Sequence, residues 1–276
     1  MNKTETIKRF HQFIHVEKGP VNSAVIDLLK GNVYHVENET VEKLEKGAYQ
    51  EIQGFIKAAE EEGLIIGINP SHWIPDLKLA PAPDEEDDEE DNETVIELHL
   101  DEGLDINLDA LLNIFQQYTI YRIVYYGREI PQTQQYQGKI VLKEKDFQVC
   151  EKMSCVDGDF QQITEASYLF NRRYNSCWGT KVAITGDGQI RPCIFSNLCV
   201  GNVADLVNGN LDVDVLIEKM KEYWTLTKDN VQTCKDCELR HTCFDCREIA
   251  RRQGNDLLAA NPNCLYNPYN GTWKSK

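Results

Sequence analysis

A set of seven cysteines towards the end of the chain has the residue type and spacing that metal chemistry needs. Four of them lie in the segment CKDCELRHTCFDC, which spaces them as C-x2-C-x5-C-x2-C. Two thiolates that lie two residues apart can bind one metal ion or one edge of an iron-sulfur cluster, so two such pairs with flanking cysteines can supply two sites. The seven are Cys177, Cys193, Cys234, Cys237, Cys243, Cys246 and Cys264.

Three other motifs are missing from the sequence. The chain has no C-x3-C-x2-C triplet, the spacing that leaves one cluster iron open for S-adenosylmethionine. It also lacks GxGxxG and GxxxxGK[ST], so we do not expect it to bind ATP through those loops. The sequence therefore favours a protein without radical chemistry of its own and without independent catalysis.

Composition predicts a folded protein of the cytoplasm. With 276 residues, of which 41% are apolar, the chain can bury a sizeable core. No apolar run approaches the roughly 18 residues needed to cross a bilayer. The start, MNKTETIKRFHQF, lacks the apolar stretch of a signal peptide. In a reducing compartment, ten cysteines are better explained by ligation than by disulfides.

The charge of the chain disfavours nucleic acid as a partner. The net charge is −16, and eight of the negative charges come from the single run Asp84–Asp91. Phosphate contacts need a basic surface, which such a chain does not offer. The run PAPDEEDDEEDNE predicts a solvated linker over 79–93 rather than a site for a basic partner.

Residues 1–78 have the pattern of a small α/β unit. NVYHVE predicts a strand, and LIIGI after Gly63 predicts a buried one. Thr40 is a candidate cap for a short helix, and Asn22 to Leu29 suits either a short helix or a strand that ends in a turn. The whole unit resembles a winged helix, the shape of leader-peptide recognition domains, although a plain capping subdomain fits the same pattern.

Residues 94–164 have the pattern of a truncated α/β layer. TVIELHLD predicts a strand, NLDALLNIFQQY a helix and IYRIVYYG a second strand, which is one βαβ unit of a partial barrel. A full barrel needs about eight such units. His99 in the first strand is expected to be a satisfied core residue. Cys150 and Cys155 are expected to be ordinary thiols.

The C-terminal region, 165–276, carries the seven cysteines. TKVAITGDGQIRPC predicts two strands around a Gly-Asp-Gly turn, which would bring Cys177 and Cys193 close together. LDVDVLIEKMKEYW predicts a helix with one apolar face. TKDNVQTCKDCELRHTCFDC is too polar to hold one conformation through its own apolar surface, so metal ligation would supply the missing stability.

This arrangement resembles the SPASM domain, the auxiliary-cluster module of many radical S-adenosylmethionine enzymes that modify peptides. The spacing Cys-x10-Gly-x4-Cys, from Cys177 to Cys193, precedes the paired cysteines, and Cys264 follows the last pair after seventeen residues. The one departure is C-x2-C between Cys243 and Cys246, where the family usually has C-x3-C.

A subgroup of that family is closer still. The stretches GNVADL, YWTLTKDNVQTCKDCELRHTCFDCRE and NCLYNPYNGTW look like the SPASM-domain peptide maturases of grasp-with-spasm systems. Those are short proteins without a radical cluster that accompany an ATP-grasp peptide ligase. The specific match covers about 165–276, and the rest of the chain fits loosely. The resemblance implies a ribosomal precursor peptide and an ATP-grasp ligase as partners.

The resemblance also implies two [4Fe-4S] clusters. Four-iron clusters take four ligands, and Cys199, six residues past Cys193, is the nearest candidate for a position that the pattern leaves open. The implied ligands are Cys234, Cys237, Cys243 and Cys264 for one cluster and Cys177, Cys193 and Cys246 for the other. Either Cys199 completes the second site or one of its irons stays open. Zinc is the alternative, because C-x2-C pairs also build closed sites of four thiolates.

Six basic residues are concentrated near the paired cysteines: Lys235, Arg240, His241, Arg247, Arg251 and Arg252. We expect them to compensate the negative charge of a cluster rather than to bind an external anion.

Together these patterns predict an α+β protein with a winged-helix-like N-terminal unit, a partial barrel layer and a cysteine-rich SPASM-like domain. Its expected role is that of an iron-sulfur accessory protein in peptide maturation. A redox component and a zinc-stapled scaffold are the alternatives.

Overall fold

The protein belongs to the α+β class, as the sequence predicts. The computed structural model describes residues 6–69, 94–133, 136, 138–148 and 163–274, and these contain seven α-helices and thirteen strands in mixed sheets. The acidic run Asp84–Asp91, Cys150 and Cys155 lie outside the described residues. Within the described ranges, no helix is both long enough and apolar enough to cross a bilayer.

The N-terminal unit combines two small antiparallel sheets with two helices. In chain order its elements are β1 (Ile7–Phe10), β2 (Ile14–Lys18), β3 (Asn22–Asp27), β4 (Asn32–Glu37), α1 (Asn38–Glu45), α2 (Gln53–Glu61) and β5 (Ile65–Ile68). Strands β2, β3 and β4 form a meander, which we call the N-terminal sheet, and β1 pairs with β5. A small apolar core forms between the helices and β5, around Leu44, Ile56 and Leu64.

In this unit one sequence prediction is wrong, and for another segment the structure decides between two predicted alternatives. Helix α1 begins at Asn38, so Thr40 lies in its first turn and the prediction that Thr40 caps it is wrong. The segment from Asn22 to Leu29 is a strand that ends in a turn, in which Gly31 has a φ of +73°. Its side chains are almost all buried, which explains why its pattern looked as suitable for a helix as for a strand.

A six-stranded mixed sheet forms the centre of the described structure. Its elements in chain order are β6 (Val95–Asp101), α3 (Leu108–Ile114), β7 (Thr119–Tyr126), β8 (Lys139–Lys143), α4 (Glu165–Arg173), β9 (Lys181–Ile184), β10 (Gln189–Arg191), β11 (Gly201–Asn202), α5 (Val203–Val207) and α6 (Val213–Trp224). The strand order is β11-β10-β9-β6-β7-β8. Strands β9, β6, β7 and β8 run parallel to one another, whereas β10 and β11 run antiparallel to their neighbours.

The βαβ unit and the cysteine-bearing hairpin therefore share one sheet. Strand β9 pairs along β6, with Leu98 opposite Val182. Alternate residues of these strands face α3 and α6 and form the main core, which includes Leu98, Ile123 and Trp224. The opposite face combines the buried polar residues Glu97 and His99 with a smaller apolar cluster that includes Val124 and Ala183. The two faces of the sheet are thus chemically different, and the polar face is the one that leads to the cysteines.

The last hundred residues contain little regular structure around the cysteines. A helix, α7 (Arg247–Gly254), follows Cys246, and a short hairpin of β12 (Tyr266–Asn267) and β13 (Thr272–Trp273) follows Cys264. In the predicted β9–β10 hairpin, Gly188 has a φ of +78°, which glycine adopts without strain. The winged-helix and partial-barrel descriptions stay predictions.

Candidate metal centres

Three cysteines come together beside the central sheet, and we call them set one. Cys177 precedes β9, Cys193 follows β10 and Cys246 precedes α7, and all three are buried in one hydrophobic cluster with Trp178 and Ile249. The sulfurs of Cys177 and Cys246 are hydrogen-bonded to each other. The hairpin thus brings Cys177 and Cys193 into one cluster, as its turn signal predicts.

Asn175 fixes the backbone at the entrance to set one. Its side-chain oxygen accepts hydrogen bonds from the backbone amides of Cys177 (2.9 Å) and Trp178 (2.8 Å). Its amide nitrogen donates to the backbone oxygen of Leu226 (2.9 Å) and to Asp245 Oδ2 (2.8 Å). Because Asn175 is itself buried, these four bonds hold the Cys177 loop against the segment that carries Cys246.

Lys181 supplies a positive charge to set one. Its Nζ lies 3.9 Å from Cys177 Sγ. The hydrogen bond from Cys246 and the charge of Lys181 together lower the pKa of Cys177 to about 6, although burial opposes this. The same bond, together with burial, raises the pKa of Cys246. Burial alone would lower the pKa of Lys181, but the neighbouring cysteines and Glu97 raise it overall. Set one therefore favours one thiolate beside an ammonium group.

Four further cysteines form set two: Cys234, Cys237, Cys243 and Cys264. Cys234 begins a short 3-10 turn in which the amide of Cys237 donates to the backbone oxygen of Cys234 (2.9 Å). Burial and the charges of Cys243 and Cys264 raise the pKa of Cys234, against the opposite effect of Lys228. Burial raises the pKa of Cys237 to about 12, with contributions from Cys234 and Cys243. These mutual effects mean that the four sulfurs share one neighbourhood.

Lys228 supplies a positive charge to set two, as Lys181 does to set one. Its side chain is buried, with 7% of the residue's surface exposed, and it hydrogen-bonds to Cys243. Burial lowers the pKa of Lys228, but the charges of Cys243, Asp245 and Cys234 more than offset that effect and raise it. Burying an ammonium group costs free energy unless an anion lies beside it. Cysteine sulfurs are the acidic groups that lie near both lysines.

Cys199 lies apart from the hydrophobic cluster of set one. Its side chain is exposed, and its thiol donates to the backbone oxygen of Gly201 at 3.3 Å. The described members of that cluster include its neighbour Leu198 but not Cys199 itself. Its role as a fourth ligand stays a prediction.

Five of the six basic residues near the paired cysteines contact carboxylates: Arg240 and His241 contact Glu17 and Asp229, Arg247 contacts Asp245, and Arg251 and Arg252 contact Glu248. The sixth, Lys235, is exposed. Their expected role in compensating the charge of a cluster stays a prediction. The lysines that lie beside the sulfurs are Lys181 and Lys228, and the sequence analysis named neither, because lysine is ordinarily a surface residue.

A single zinc ion and a four-iron cluster need different spacings of their ligand sulfurs. One tetrahedral zinc at about 2.3 Å from each sulfur requires sulfurs about 3.8 Å apart. Within the described ranges, no group of three or more His, Cys, Asp or Glu side chains is arranged so that it could hold a metal ion. The clusters and the alternative of zinc both stay predictions.

His99 lies in a buried polar network next to set one. Its Nδ1 and the Tyr126 hydroxyl are 3.0 Å apart, and its Nε2 lies 3.0 Å from Glu97 Oε1. Burial, with the charge of Lys181, lowers the pKa of His99 to about 4 despite the nearby carboxylate. Burial raises the pKa of Glu97, but hydrogen bonds from His99 and Tyr121 lower it to about 2 overall. His99 is thus a buried core residue, as expected, but among the described residues only its Nδ1 has a hydrogen-bond partner of standard geometry, because Nε2 lies near Glu97 without forming such a bond.

Comparison with known proteins gave no match to a family model, to a curated protein or to a solved structure. The resemblance to SPASM-domain peptide maturases therefore rests on the cysteine spacing and on the sequence around it.

Proposed function

We propose that this protein is an iron-sulfur accessory protein that binds a ribosomally made precursor peptide and works with an ATP-grasp ligase in the cytoplasm. The observation that carries the proposal is the division of the cysteines into two sets, a buried one and a partly buried one, each faced by its own lysine. This division coincides with the two ligand groups that the resemblance implies, apart from Cys199.

Set two offers four cysteine ligands and set one offers three. Cys234, Cys237, Cys243 and Cys264 would hold one cluster, and Cys177, Cys193 and Cys246 would hold three irons of the other. A bound cluster would supply electron transfer or structural cross-linking. The chain's own contribution is to exclude water with apolar side chains such as Trp178 and to place an ammonium group beside each set.

The peptide-binding part of the proposal rests on the family resemblance and on the separate N-terminal unit. The test is fluorescence anisotropy of a labelled precursor peptide, taken from the same gene neighbourhood, against the full chain prepared without oxygen. Saturable binding without the ligase is expected, and a peptide with a scrambled leader should not compete. Absence of binding both with and without the ligase would refute the accessory role.

A redox component is a second candidate, and the polar network favours it. Lys181 influences Cys177 and Cys193 as well as Glu97 and Tyr126, so it links set one to ionisable groups on the sheet. Electron transfer to a buried centre is easier where nearby groups can adjust to the added charge. In this case, reduced and oxidised protein would differ in the yield of modified peptide, whereas an accessory role alone predicts equal yields.

A further inference from the structure

The N-terminal sheet is joined by ionic contacts to the loop that carries set two. Glu17, in β2, accepts hydrogen bonds from the Tyr168 hydroxyl (2.6 Å) and from Arg240 Nη2 (2.5 Å). His241 Nδ1 lies 2.9 Å from the same carboxylate. Arg240 and His241 belong to the five residues between Cys237 and Cys243. Glu17 is only 13% exposed, so these contacts are largely shielded from water.

A close backbone approach adds a second connection. A Cβ atom at Gly19 would collide with Glu238 Oε2 and would lie 3.1 Å from the Glu238 amide nitrogen. Glu238 is fully buried, follows Cys237 directly and accepts a hydrogen bond from the Tyr266 hydroxyl. The turn between β2 and β3 therefore lies so close to Glu238 that a side chain at residue 19 would force the neighbouring atoms to move.

Apolar packing completes the same interface. The inner face of β3 and its following turn share one hydrophobic cluster with the cysteine-rich segment, and Cys237 and Cys264 pack against that cluster. Its buried members are Ala24, Ile26, Leu28, Ile163, Tyr168, Leu239 and Tyr266. Two of the four set-two cysteines thus form part of the surface on which the N-terminal sheet rests.

Set one has different surroundings. All described members of its hydrophobic cluster lie between residues 147 and 257, and none comes from the N-terminal unit. Phe195 links it to the polar face of the central sheet by packing edge-on against Tyr126, and Trp178 links it to α6 by packing edge-on against Tyr223. It approaches set two through Asp245, which Asn175 holds and which faces Lys228. A structural change at set one would therefore alter contacts with the central sheet directly and contacts with the N-terminal sheet only indirectly.

We propose that the two cysteine sets have separate tasks: cluster binding at set two fixes the position of the N-terminal sheet, whereas set one leaves that position unaffected. The inference rests on the proposed function, because it assumes that both sets bind clusters. The set-two loop buries little apolar surface of its own. The free energy of cluster binding would therefore stabilise the ordered conformation of that loop. The N-terminal sheet contacts the loop at Gly19, Glu17 and β3 and shares in this stabilisation.

The test compares hydrogen exchange in β3 and β4 of the full chain before and after anaerobic loading with ferrous iron and sulfide. We expect loading to slow exchange in residues 22–37 by about tenfold or more. The double variant Cys234→Ser/Cys264→Ser should lose this protection. Its matched control, Cys177→Ser/Cys193→Ser, should keep it while losing the other cluster.

A second variant separates docking from cluster assembly. Gly19→Ala leaves every cysteine in place, so its iron and sulfide content should equal that of the wild type while β3 loses its protection. If the wild type takes up iron and sulfide but exchange in residues 22–37 does not change, the separation of tasks is wrong and the proposed function stands. If neither iron nor sulfide is taken up, the proposed function itself fails, and the inference fails with it.

Discussion

The ammonium group of Lys181 lies 3.9 Å from the sulfur of Cys177, which places a cation directly beside set one. Lys228 hydrogen-bonds to Cys243 in set two. A nearby positive charge stabilises the reduced, more negative state of a cluster. The two lysines should therefore set the two midpoint potentials independently, because each faces a different set.

Lys181→Met should lower the midpoint potential of the set-one cluster, and Lys228→Met that of the set-two cluster. We expect a change of about 60 mV or more, which corresponds to about a tenfold change in a one-electron equilibrium. Redox titration followed by electron paramagnetic resonance measures both potentials. Lys235→Met is the matched control, since Lys235 follows Cys234 but is exposed. Unchanged potentials in both lysine variants would contradict the assigned role.

The buried histidine of the central sheet predicts an acid-sensitive fold. His99 is 5% exposed and has a pKa of about 4, below the value of about 6.5 that it has in the unfolded chain. The unfolded chain therefore binds the proton more tightly, so this contribution to stability is complete above pH 6.5 and is lost as the pH falls to about 4. The pKa difference corresponds to about 3 kcal/mol.

Urea unfolding of the wild type and of His99→Gln between pH 4 and pH 7 checks this prediction. The wild type should lose stability steadily as the pH falls, and the variant should show a shallower slope. The slope should not vanish, because burial also lowers the pKa values of His15 and His35. Equal slopes in the two proteins would contradict the lowered pKa of His99 in the folded protein. Glu97 adds to the loss only at the acid end of this range, because its pKa falls from 4.5 to about 2 on folding and its contribution is lost below about pH 4.5.

The ion pair between Asp245 and Arg247 should be essential for the cysteine-rich region. Arg247 is fully buried and also donates to the backbone oxygens of Leu257 (3.0 Å) and Ala259 (2.7 Å). Arg247→Met removes the ion-pair partner of buried Asp245, which keeps the hydrogen bond from Asn175 and the charge of Lys228. This loss should cost about 3 kcal/mol of unfolding free energy in a urea titration. Arg252→Met is the control, because Arg252 is 45% exposed and its loss should cost about 1 kcal/mol or less.

Periodicity and turn chemistry predicted much of the central fold. Strands β6 and β7 appeared as alternating or continuous apolar runs, and the Gly-Asp-Gly turn marked the β9–β10 hairpin. The sequence did not reveal that β9 joins β6 in one sheet, because strand pairing between distant segments depends on packing rather than on local pattern. The start of α1 was also predicted wrongly. Thr40 is a residue type that often caps helices, but α1 already begins at Asn38, so Thr40 lies in its first turn.

The candidate sites were predictable in their cysteines but not in their surroundings. The spacing and the family resemblance gave the two groups of sulfurs. Proximity in sequence pointed to basic residues such as Arg240 and gave no sign of Lys181 and Lys228, which reach the sulfurs in space. Carboxylates from distant segments, above all Glu17, pair with the arginines instead. Such partners depend on tertiary contacts that no local pattern reports.

Iron and acid-labile sulfide analysis of the full chain after anaerobic reconstitution tests the central claim most directly. We expect about eight irons and eight sulfides per chain, falling to about four of each in Cys177→Ser/Cys193→Ser and in Cys234→Ser/Cys264→Ser. A colourless protein with no iron, or with one or two zinc ions per chain in place of iron and sulfide, would contradict the account.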